Sequence, residues 1–201
     1  MRVIGGQQRG RKLRAPHGMQ TRPLTARVRA SIFSRLASRD AVDGVRVLDL
    51  FAGSGSFGLE ALSRGASEVV FVDRSRAAAA AIQYNLSQLA LLDRARVVNT
   101  EIKRALAELG AAGERFQLVF VDAPFDADST AEVLALIATL GLLAPDGMIV
   151  TRQFHRTPTP MVALMECGNV VKIGDHRIAL YRPVQRSDGE PGCPHVADRV
   201  R

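Results

Sequence analysis

Four consecutive residues, Asp122, Ala123, Pro124 and Phe125, follow a short apolar run and suit chemistry on a planar amino group. The exocyclic amine of a nucleobase is a poor nucleophile because its lone pair is delocalised into the ring. A site must therefore accept its N–H bonds to orient it. Asp122 can accept one, and the Ala123 carbonyl can accept the second because Pro124 fixes the following turn. Phe125 offers a face for a flipped-out base. The alternative is an ordinary strand end that stops at proline.

A glycine-rich turn lies upstream of this group. An apolar run that contains Asp49 is followed by Gly53, Gly55 and Gly58 and then by a helical pattern. Glycines at this spacing permit a tight turn, close approach of the backbone to a ligand and close packing of the helix on the strand. The next apolar run ends at Asp73, where a ribose-binding carboxylate is expected, roughly 20 residues after the turn. The sequence therefore predicts a nucleoside-binding strand, turn and helix.

The pattern leaves two cofactors open, since NAD and S-adenosylmethionine are both bound by a glycine turn and a carboxylate on the second strand. Asp49 favours S-adenosylmethionine, because its carboxylate can act on the amino-acid end of a sulfonium ligand directly or through water. The group at Asp122 also favours it, since hydride transfer has no use for an amine-orienting site. No stretch matches the P-loop pattern of ATPases. The candidate cofactor residues in and around the turn are Asp49, Phe51, Gly53, Gly55 and Asp73.

Positive charge is concentrated at the N-terminus. Residues 1–39 contain ten basic side chains and no acid, although the whole chain has 27 basic and 20 acidic residues. The remainder, residues 40–201, therefore has 17 basic and 20 acidic side chains, a net charge of −3. A basic segment before a base-handling domain is typical of a phosphate-binding extension, whereas a plain charge run is usually a solvated face. The candidate RNA-binding residues are Arg9, Arg11, Lys12, Arg22, Arg27 and Arg29.

Composition restricts the class of protein. With 201 residues and 47% apolar content, the chain can bury one sizeable core. No apolar run approaches the roughly 18 to 20 residues that span a bilayer, and the N-terminus lacks the apolar core of a signal peptide. Cys167, Cys193 and the scattered histidines show no metal-ligand spacing. We therefore expect a cytoplasmic, monomeric protein without a membrane segment or a metal.

Strand and helix patterns alternate from residue 45 onward, which predicts an α/β fold with right-handed crossovers and a mostly parallel sheet. Strands are predicted at 45–50, 68–73, 94–98, 116–121 and 147–152, and helices at 56–64, 75–90, 101–110 and 129–140. Pro23 and Thr25 predict the start of an earlier helix with an apolar stripe, and a hairpin is predicted around residues 169–181. Residues 1–40 are expected to form a basic RNA-binding extension made of a small hairpin and a helix, 41–184 the main domain, and 185–201 a flexible tail. The extended stretches at residues 3–4 and 12–13 predict the small hairpin.

In such a sheet, ligands bind beyond the carboxyl ends of the strands. The glycine turn, Asp73, the loop after Val98 and the group that begins at Asp122 all fall on that edge. The pattern therefore predicts that independent motifs converge on one cleft.

Several segments together resemble the RsmD-type bacterial 16S rRNA (guanine(966)-N2)-methyltransferases. They lie at residues 2–13, 21–29, 48–55, 58–66 and 121–125 and read RVIGGQQRGRKL, TRPLTARVR, LDLFAGSG, GLEALSRGA and VDAPF. The resemblance covers residues 2 to about 184. The central motifs are shared by many amino-methyltransferases, and the basic N-terminal segments are more specific to this family.

The resemblance implies the seven-stranded class I methyltransferase fold, S-adenosylmethionine as the cofactor and 16S rRNA, free or in the small ribosomal subunit, as the partner. It assigns Asp49, Gly53 and Gly55 to the methionine part of the cofactor and Asp73 to the ribose. It further assigns Glu101 to the adenine region and residues 122–125 to the target base.

Two residues depart from the family pattern. The family usually has two prolines after the acid, whereas this chain has Ala123, which keeps the carbonyl but loses one fixed φ angle. Glu101 is one methylene longer than the usual aspartate, so its contact with adenine is less well defined. Its alternative role is that of a carboxylate at a helix N-terminus.

The predicted mechanism is direct in-line methyl transfer without a covalent intermediate, with acceleration from positioning. Three alternatives stay open. An NAD-dependent oxidoreductase would account for the glycine turn, and a noncatalytic rRNA-binding assembly factor would account for the basic extension. A DNA amino-methyltransferase would account for the group at Asp122, but the short chain shows no added target-recognition domain.

Overall fold

A computed structural model of the protein describes residues 1–16, 26–123 and 127–184. The strands within these ranges are β1 (Arg46–Leu50), β2 (Glu68–Val72), β3 (Ala95–Val98), β4 (Phe116–Val121), β5 (Leu143–Phe154), β6 (Met165–Ile173) and β7 (His176–Pro183). The α-helices are α1 (Ala26–Ala37), α2 (Ser56–Ser63), α3 (Arg76–Gln88), α4 (Ile102–Ala111) and α5 (Ala127–Thr139), and Leu92–Arg94 form a short 3-10 helix.

The strands form one seven-stranded sheet in the order β3-β2-β1-β4-β5-β7-β6. Strands β1 to β5 are parallel, and β7 lies antiparallel between β5 and the edge strand β6. This topology confirms the predicted α/β fold and the seven-stranded sheet that the family resemblance implied. The hairpin predicted near the C-terminus is also confirmed, since β6 and β7 form it at the sheet edge.

Helices cover both faces of the sheet, so the central strands are apolar on both sides. Helices α1, α2 and α3 share one buried cluster with residues such as Val47 and Phe71, and α4 and α5 share the other with Leu48 and Val72. Consecutive strand residues therefore serve opposite cores. No helix in the described ranges has both the length and the apolar character needed to cross a membrane.

Helix α1 packs on the first of these cores through the stripe that the sequence predicted. Val28, Ile32, Phe33 and Leu36 are all at most 4% exposed. The Phe33 ring lies 5.7 Å from the ring of Phe120 in β4, centroid to centroid, which ties α1 to the centre of the sheet. The predicted start of this helix, at Pro23 and Thr25, lies outside the described residues.

Two strands begin earlier than the sequence predicted. Strand β5 starts at Leu143 and not at residue 147, because a register shift between Phe116 and Leu118 of β4 lets Leu143 pair before the turn-like Pro145-Asp146-Gly147. Strand β6 starts at Met165 for a similar reason, since its register shifts between Cys167 and Val170. In both cases an irregularity in the strand pairing allows residues with turn propensity to be part of the strand.

Residues 1–14, hereafter the arm, are packed on the main sheet domain. The arm turns back on itself through an antiparallel bridge between Arg2 and Lys12, a single bridge in place of the paired strands of a full hairpin. Val3 and Leu13 are 2% and 5% exposed and belong to the same core as α1. The arm therefore contributes to the fold as well as carrying charge. The expected flexible tail, residues 185–201, lies outside the described residues.

Helix α2 supplies the surface on which the arm rests. Glu60, 1% exposed, accepts the backbone N–H groups of Ile4 and Gly5 at 2.7 and 2.8 Å. The Ser63 hydroxyl accepts the N–H of Gln8 and donates to the Gly5 carbonyl, at 2.9 and 2.6 Å. Polar residues of α2 that would otherwise face water thus satisfy the backbone of the arm, which explains why all eight residues of the helix are buried.

Candidate active site

The glycine turn joins β1 to α2 in the predicted conformation. Gly53 has a φ of +57°, and Phe51, although not glycine, has a φ of +56°. A bulky residue rarely adopts this left-handed region, and such strain is concentrated at functional sites. At Gly58 a Cβ atom would lie 2.3 Å from Cε1 of Phe71. This contact explains why the helix approaches β2 closely only with glycine there.

Asp49 lies in β1 with its carboxylate buried beneath the turn. Its side chain is 1% exposed, Oδ2 accepts the Gly58 N–H at 2.9 Å, and Oδ1 has no hydrogen-bond partner in the structure. Burial raises the pKa of the Asp49 carboxyl well above its ordinary value, against the Gly58 N–H, which lowers it. Asp122 and Asp73 raise this pKa further through their negative charges. The carboxylate is therefore short of positive charge.

Asp73 follows β2 and holds the turn. Its Oδ2 accepts the Gly53 N–H at 2.8 Å, and its Oδ1 accepts the Ser75 N–H at 2.9 Å. Each carboxylate oxygen can accept a further hydrogen bond, so these contacts leave Asp73 able to bind ribose hydroxyls. The residue thus closes the glycine turn and lies where the sequence placed the ribose acceptor.

The loop after β3 borders the same edge. The Asn99 side-chain amide donates to the Asp73 carbonyl at 2.9 Å, so this loop is fixed to the end of β2. Glu101 occupies the N-cap position of α4 but caps no backbone N–H with its side chain. Its carboxylate lies 3.7 Å from the Arg74 guanidinium, and both side chains are largely exposed. Glu101 therefore lies at a helix N-terminus, as its alternative role requires, although its carboxylate makes no capping hydrogen bond.

Asp122 follows β4 and is gripped by an arginine. Nε of Arg152 donates to Oδ1 of Asp122 at 2.6 Å, and Nη2 donates to Oδ2 at 2.9 Å. This is a two-point contact between planar groups, and the two side chains are only 8% and 17% exposed. The remaining lone pairs of the carboxylate can still accept an N–H from a base, now in a fixed orientation.

Sequence reasoning missed Arg152. The register that pairs Val121 with Thr151 places the next residues of the two strands, Asp122 and Arg152, side by side. The available signal was a lone arginine inside the apolar run of β5, since a buried charge requires a partner. Ala123 is 3% exposed, and Pro124 and Phe125 lie outside the described residues, so their expected roles remain predictions.

The expected convergence on one sheet edge is present for the residues described. Asp49, Asp73 and Asp122 stand at the carboxyl ends of β1, β2 and β4, and the pKa of Asp49 is raised first by burial and further by the charges of Asp122 and Asp73. The order of the sheet explains this, because β2 and β4 flank β1 on its two sides. A cation beside Asp49 would offset these unfavourable effects on its carboxylate.

The predicted RNA-binding arginines differ in exposure. Arg9, Arg11, Lys12 and Arg27 are exposed, and Arg22 lies outside the described residues. Arg29 was expected to remain available to RNA, and this prediction is wrong because its side chain is 1% exposed.

Arg29 instead acts inside the fold. Its Nη2 donates to the Arg2 carbonyl, and its Nε lies 3.8 Å from Oε2 of Glu60. Burial lowers the pKa of the Arg29 guanidinium, while Glu60 raises it. The helical period that buries Val28 and Ile32 also turns Arg29 towards α2. Arg29 therefore faces Glu60, and its contact with the Arg2 carbonyl fixes the arm.

S-adenosylmethionine carries a sulfonium and an ammonium group, so a site that binds it must offer acceptors for positive charge. The unpartnered Oδ1 of Asp49 is a buried acceptor with excess negative charge, which an ammonium group would satisfy. Asp73 retains acceptor capacity for a ribose, and the left-handed turn at Gly53 brings backbone close to a ligand. These residues fit the cofactor.

The strand order and the ligand edge define the class I methyltransferase fold, an α/β sheet with one antiparallel strand. The chain belongs to the family described as conserved hypothetical protein 95, whose model matches residues 1–182. The RsmD-type resemblance seen in the sequence is thereby confirmed.

Known proteins resemble this chain over most of its length. The ribosomal RNA small subunit methyltransferase D of Escherichia coli is 40% identical over 162 residues, 81% of this chain and 79% of that protein. The Bacillus subtilis protein YlbH is 39% identical over 160 residues, 80% of this chain and 86% of that protein. The solved structure of yhhF from Escherichia coli superposes with a TM-score of 0.80 at 36% identity, covering 91% of this chain and 97% of that one.

Proposed function

We propose that the chain is a small-subunit rRNA methyltransferase that transfers a methyl group from S-adenosylmethionine to the exocyclic N2 of a guanine in 16S rRNA, the position numbered 966 in the family. The observation that carries the proposal is that two different carboxylates lie at one sheet edge. Asp49 has an unsatisfied oxygen that a cation would complete, and Asp122 is fixed by two hydrogen bonds from Arg152. The 40% identity to an rRNA small subunit methyltransferase over most of both chains supports the substrate class.

The residues on the cofactor side of the site bind and orient S-adenosylmethionine. S-adenosylmethionine, when bound, supplies an electrophilic methyl group on its sulfonium. Asp49 holds the amino-acid end, directly or through water, and Asp73 accepts hydrogen bonds from the ribose while it keeps Gly53 in place. Glu101, exposed beside Arg74, borders the adenine region.

The acceptor half orients the guanine amine. Asp122 and the Ala123 carbonyl accept the two N2 hydrogens, so that the nitrogen lone pair points towards the methyl group. Arg152 fixes the plane of the Asp122 carboxylate, which acts only as a hydrogen-bond acceptor when ionised. Most of the acceleration comes from this positioning. The nitrogen becomes acidic once it is alkylated, and Asp122 or water then takes its proton.

The arm meets the RNA. Arg9, Arg11 and Lys12 are exposed on a segment that the buried Val3 and Leu13 hold against the methyltransferase domain. Their charges can bind rRNA phosphates while the target base is unstacked towards Phe125. The enzyme acts in the cytoplasm, where rRNA is methylated free or within the small subunit.

Two other functions make different predictions. An NAD-dependent oxidoreductase would have to place a pyrophosphate near the buried Asp49 carboxylate, whose charge has no cationic partner and disfavours an anion. A noncatalytic assembly factor would bind RNA without turnover. Thermal unfolding with each cofactor separates the first from the proposal, and an activity assay separates the second.

The decisive experiment measures transfer of labelled methyl from S-adenosylmethionine into small subunits that lack the modification, followed by identification of the methylated nucleoside. We expect N2-methylguanosine. Asp122→Ala should abolish most turnover and leave the thermal shift with cofactor nearly unchanged, because this carboxylate acts on the acceptor amine. Stabilisation by NAD alone, a methyl group on a ring atom, or near-normal turnover by Asp122→Ala would each contradict the proposal.

A further inference from the structure

A basic groove of about 510 Å³ lies between the arm and helix α3, hereafter the arm–α3 groove. Among the described residues that line it, three are cations of the arm and none is acidic. The residues used below are Arg11, Lys12, Arg14, Tyr84 and Gln88. The Arg11 guanidinium donates to the Gln88 carbonyl at 2.7 Å, so the two walls are joined at one end. The groove therefore has a defined shape and a uniformly positive rim.

An aromatic ring lies within these charges. Tyr84 is 47% exposed, and the centre of the Arg14 guanidinium lies 5.2 Å from the centroid of its ring. An exposed aromatic ring paired with an arginine presents two planar surfaces, and both stack readily on a nucleobase.

The groove is held in place relative to the glycine turn by the residue after Tyr84. Asn85, 1% exposed, accepts the Arg14 N–H at 2.8 Å through Oδ1. Its Nδ2 donates to the carbonyls of Arg14 and Ser54, at 3.0 and 3.3 Å. Ser54 belongs to the glycine turn, so one buried side chain joins the groove to the candidate active site.

We propose that the arm–α3 groove is a binding subsite for an unpaired nucleotide of the RNA substrate, with its base stacked on Tyr84 and Arg14 and its phosphates held by Arg11 and Lys12. The proposal rests on the proposed function, because it names a second contact of the same substrate outside the target-base pocket. The bases of a duplex are already stacked and cannot enter such a groove, so the occupant is single-stranded. Because the cations surround an aromatic ring, the groove can bind base and phosphate together.

Intrinsic fluorescence gives a direct test, since the chain has no tryptophan and two tyrosines, Tyr84 and Tyr181. Tyr181 is fully buried and donates to the Pro160 carbonyl at 3.0 Å, so a base cannot reach it. The probes are an oligoadenylate of about ten nucleotides and an abasic oligomer with the same phosphates. We expect the oligoadenylate to quench the Tyr84 emission and to bind about 5- to 140-fold more tightly than the abasic oligomer.

Variants separate stacking from charge. Tyr84→Ala should bring the affinity ratio of the two oligomers close to one, whereas Tyr84→Phe should retain the ratio and lose the quenching. Met161→Ala, which changes an exposed apolar residue outside the groove, is the matched control. It should change neither the affinity ratio nor the quenching. Thermal shifts with S-adenosylmethionine should be equal in all four proteins, because Asn85 and Ser54 are intact.

The proposal would be overturned if Tyr84→Ala still bound the oligoadenylate more tightly than the abasic oligomer, or if the oligoadenylate did not quench the wild type. The groove would then be a phosphate-binding surface only. The proposed function is tested separately by methyl transfer. Normal methylation of subunits with no effect of Tyr84→Ala on oligomer binding or on the KM for subunits would contradict the groove alone. A base preference in a protein that methylates no RNA would contradict the proposed function alone.

Discussion

At the scale of single residues, the site contains one carboxylate with an unpartnered oxygen and one whose two oxygens are both bound by an arginine. Asp49 is buried with Oδ1 unsatisfied, whereas both oxygens of Asp122 are held by Arg152. The difference matches their proposed roles. Asp49 is completed by a cationic ligand, and Asp122 is already in the orientation in which it receives a base.

Replacing Asp49 with Asn should stabilise the cofactor-free protein and weaken cofactor binding. The folded-state pKa of Asp49 is raised above its value in the unfolded chain, so the folded state binds more protons between these two pKa values. Stability of the cofactor-free wild type should therefore fall as pH rises through that window, and the cost is fully present above it.

Urea unfolding at several pH values checks this prediction. At neutral pH we expect Asp49→Asn to gain on the order of 1 kcal/mol, since a neutral amide is less costly to bury than an incompletely paired charge. The cofactor Kd should rise about 10-fold or more, because the amide cannot balance an ammonium group. A variant that is no more stable and binds S-adenosylmethionine normally would remove Asp49 from the cofactor site.

Arg152 should act as a positioning residue for Asp122. We expect Arg152→Gln to lower kcat on the order of 100-fold, because a loosened carboxylate no longer orients the amine, while Arg152→Lys retains a charge and recovers part of the loss. The KM for subunits and the cofactor Kd should change little. Equal losses in kcat and in cofactor affinity would indicate a general structural defect in place of positioning.

At the scale of elements, the arm is bound to helix α2 by buried polar contacts. Glu60 binds two backbone N–H groups of the arm, forms an ion pair with Arg64 at 2.8 Å and lies near Arg29. Glu60 is itself 1% exposed, so its removal would leave two backbone N–H groups of the arm and the buried Arg29 without their anionic partner. The arm is therefore held by buried polar contacts as well as by Val3 and Leu13.

Replacing Glu60 with Gln should lower the free energy of unfolding by about 3 kcal/mol, because it leaves buried arginine charge uncompensated and turns an amide towards an N–H donor. Glu68→Gln is the matched control, since Glu68 pairs with Arg46 at 2.8 Å on a surface where both side chains are more than a third exposed. That change should cost less than about 1 kcal/mol. Similar effects of the two substitutions in urea unfolding would contradict a buried docking site.

At the scale of the whole molecule, charge divides the chain into a basic N-terminal segment, residues 1–39, and a remainder with a net charge of −3. The ten basic residues of positions 1–39 cannot all bind RNA, since the Arg29 side chain is buried. The exposed Arg9, Arg11 and Lys12 remain the proposed phosphate contacts.

Replacing these three residues together with alanine should flatten the salt dependence of RNA binding. Each phosphate contact on a single strand contributes about −0.7 to the slope of log affinity against log salt, so the slope should change by about two units. The KM for RNA should rise, and cofactor binding should stay unchanged. Replacing Arg156, Lys172 and Arg182 removes the same charge from β6, β7 and the loop before them, and should leave the slope closer to that of the wild type. Equal slopes for wild type and the arm variant would make the arm a solvated face.

Most of the fold and of the cofactor side could be predicted from the sequence, because those features are encoded by local patterns. Alternating apolar strands and helices predict a parallel sheet, the spacing of Gly53, Gly55 and Gly58 predicts the turn, and Asp73 follows at the distance that a ribose acceptor requires. The apolar stripe from Val28 to Leu36 could also be predicted, since the helical period alone specifies which side of α1 is buried.

Only the tertiary structure decided which distant polar groups meet. The register of β4 and β5 brings Arg152 to Asp122, and the docking of the arm brings Arg29 and the backbone of residues 4–5 to Glu60. Asn85 similarly joins Arg14 to Ser54. These contacts join residues far apart in the chain, and a charged side chain has the same local pattern whether it faces water or a buried partner. The sequence by itself therefore determined the kind of site, and packing determined which charges build it and which hold the fold together.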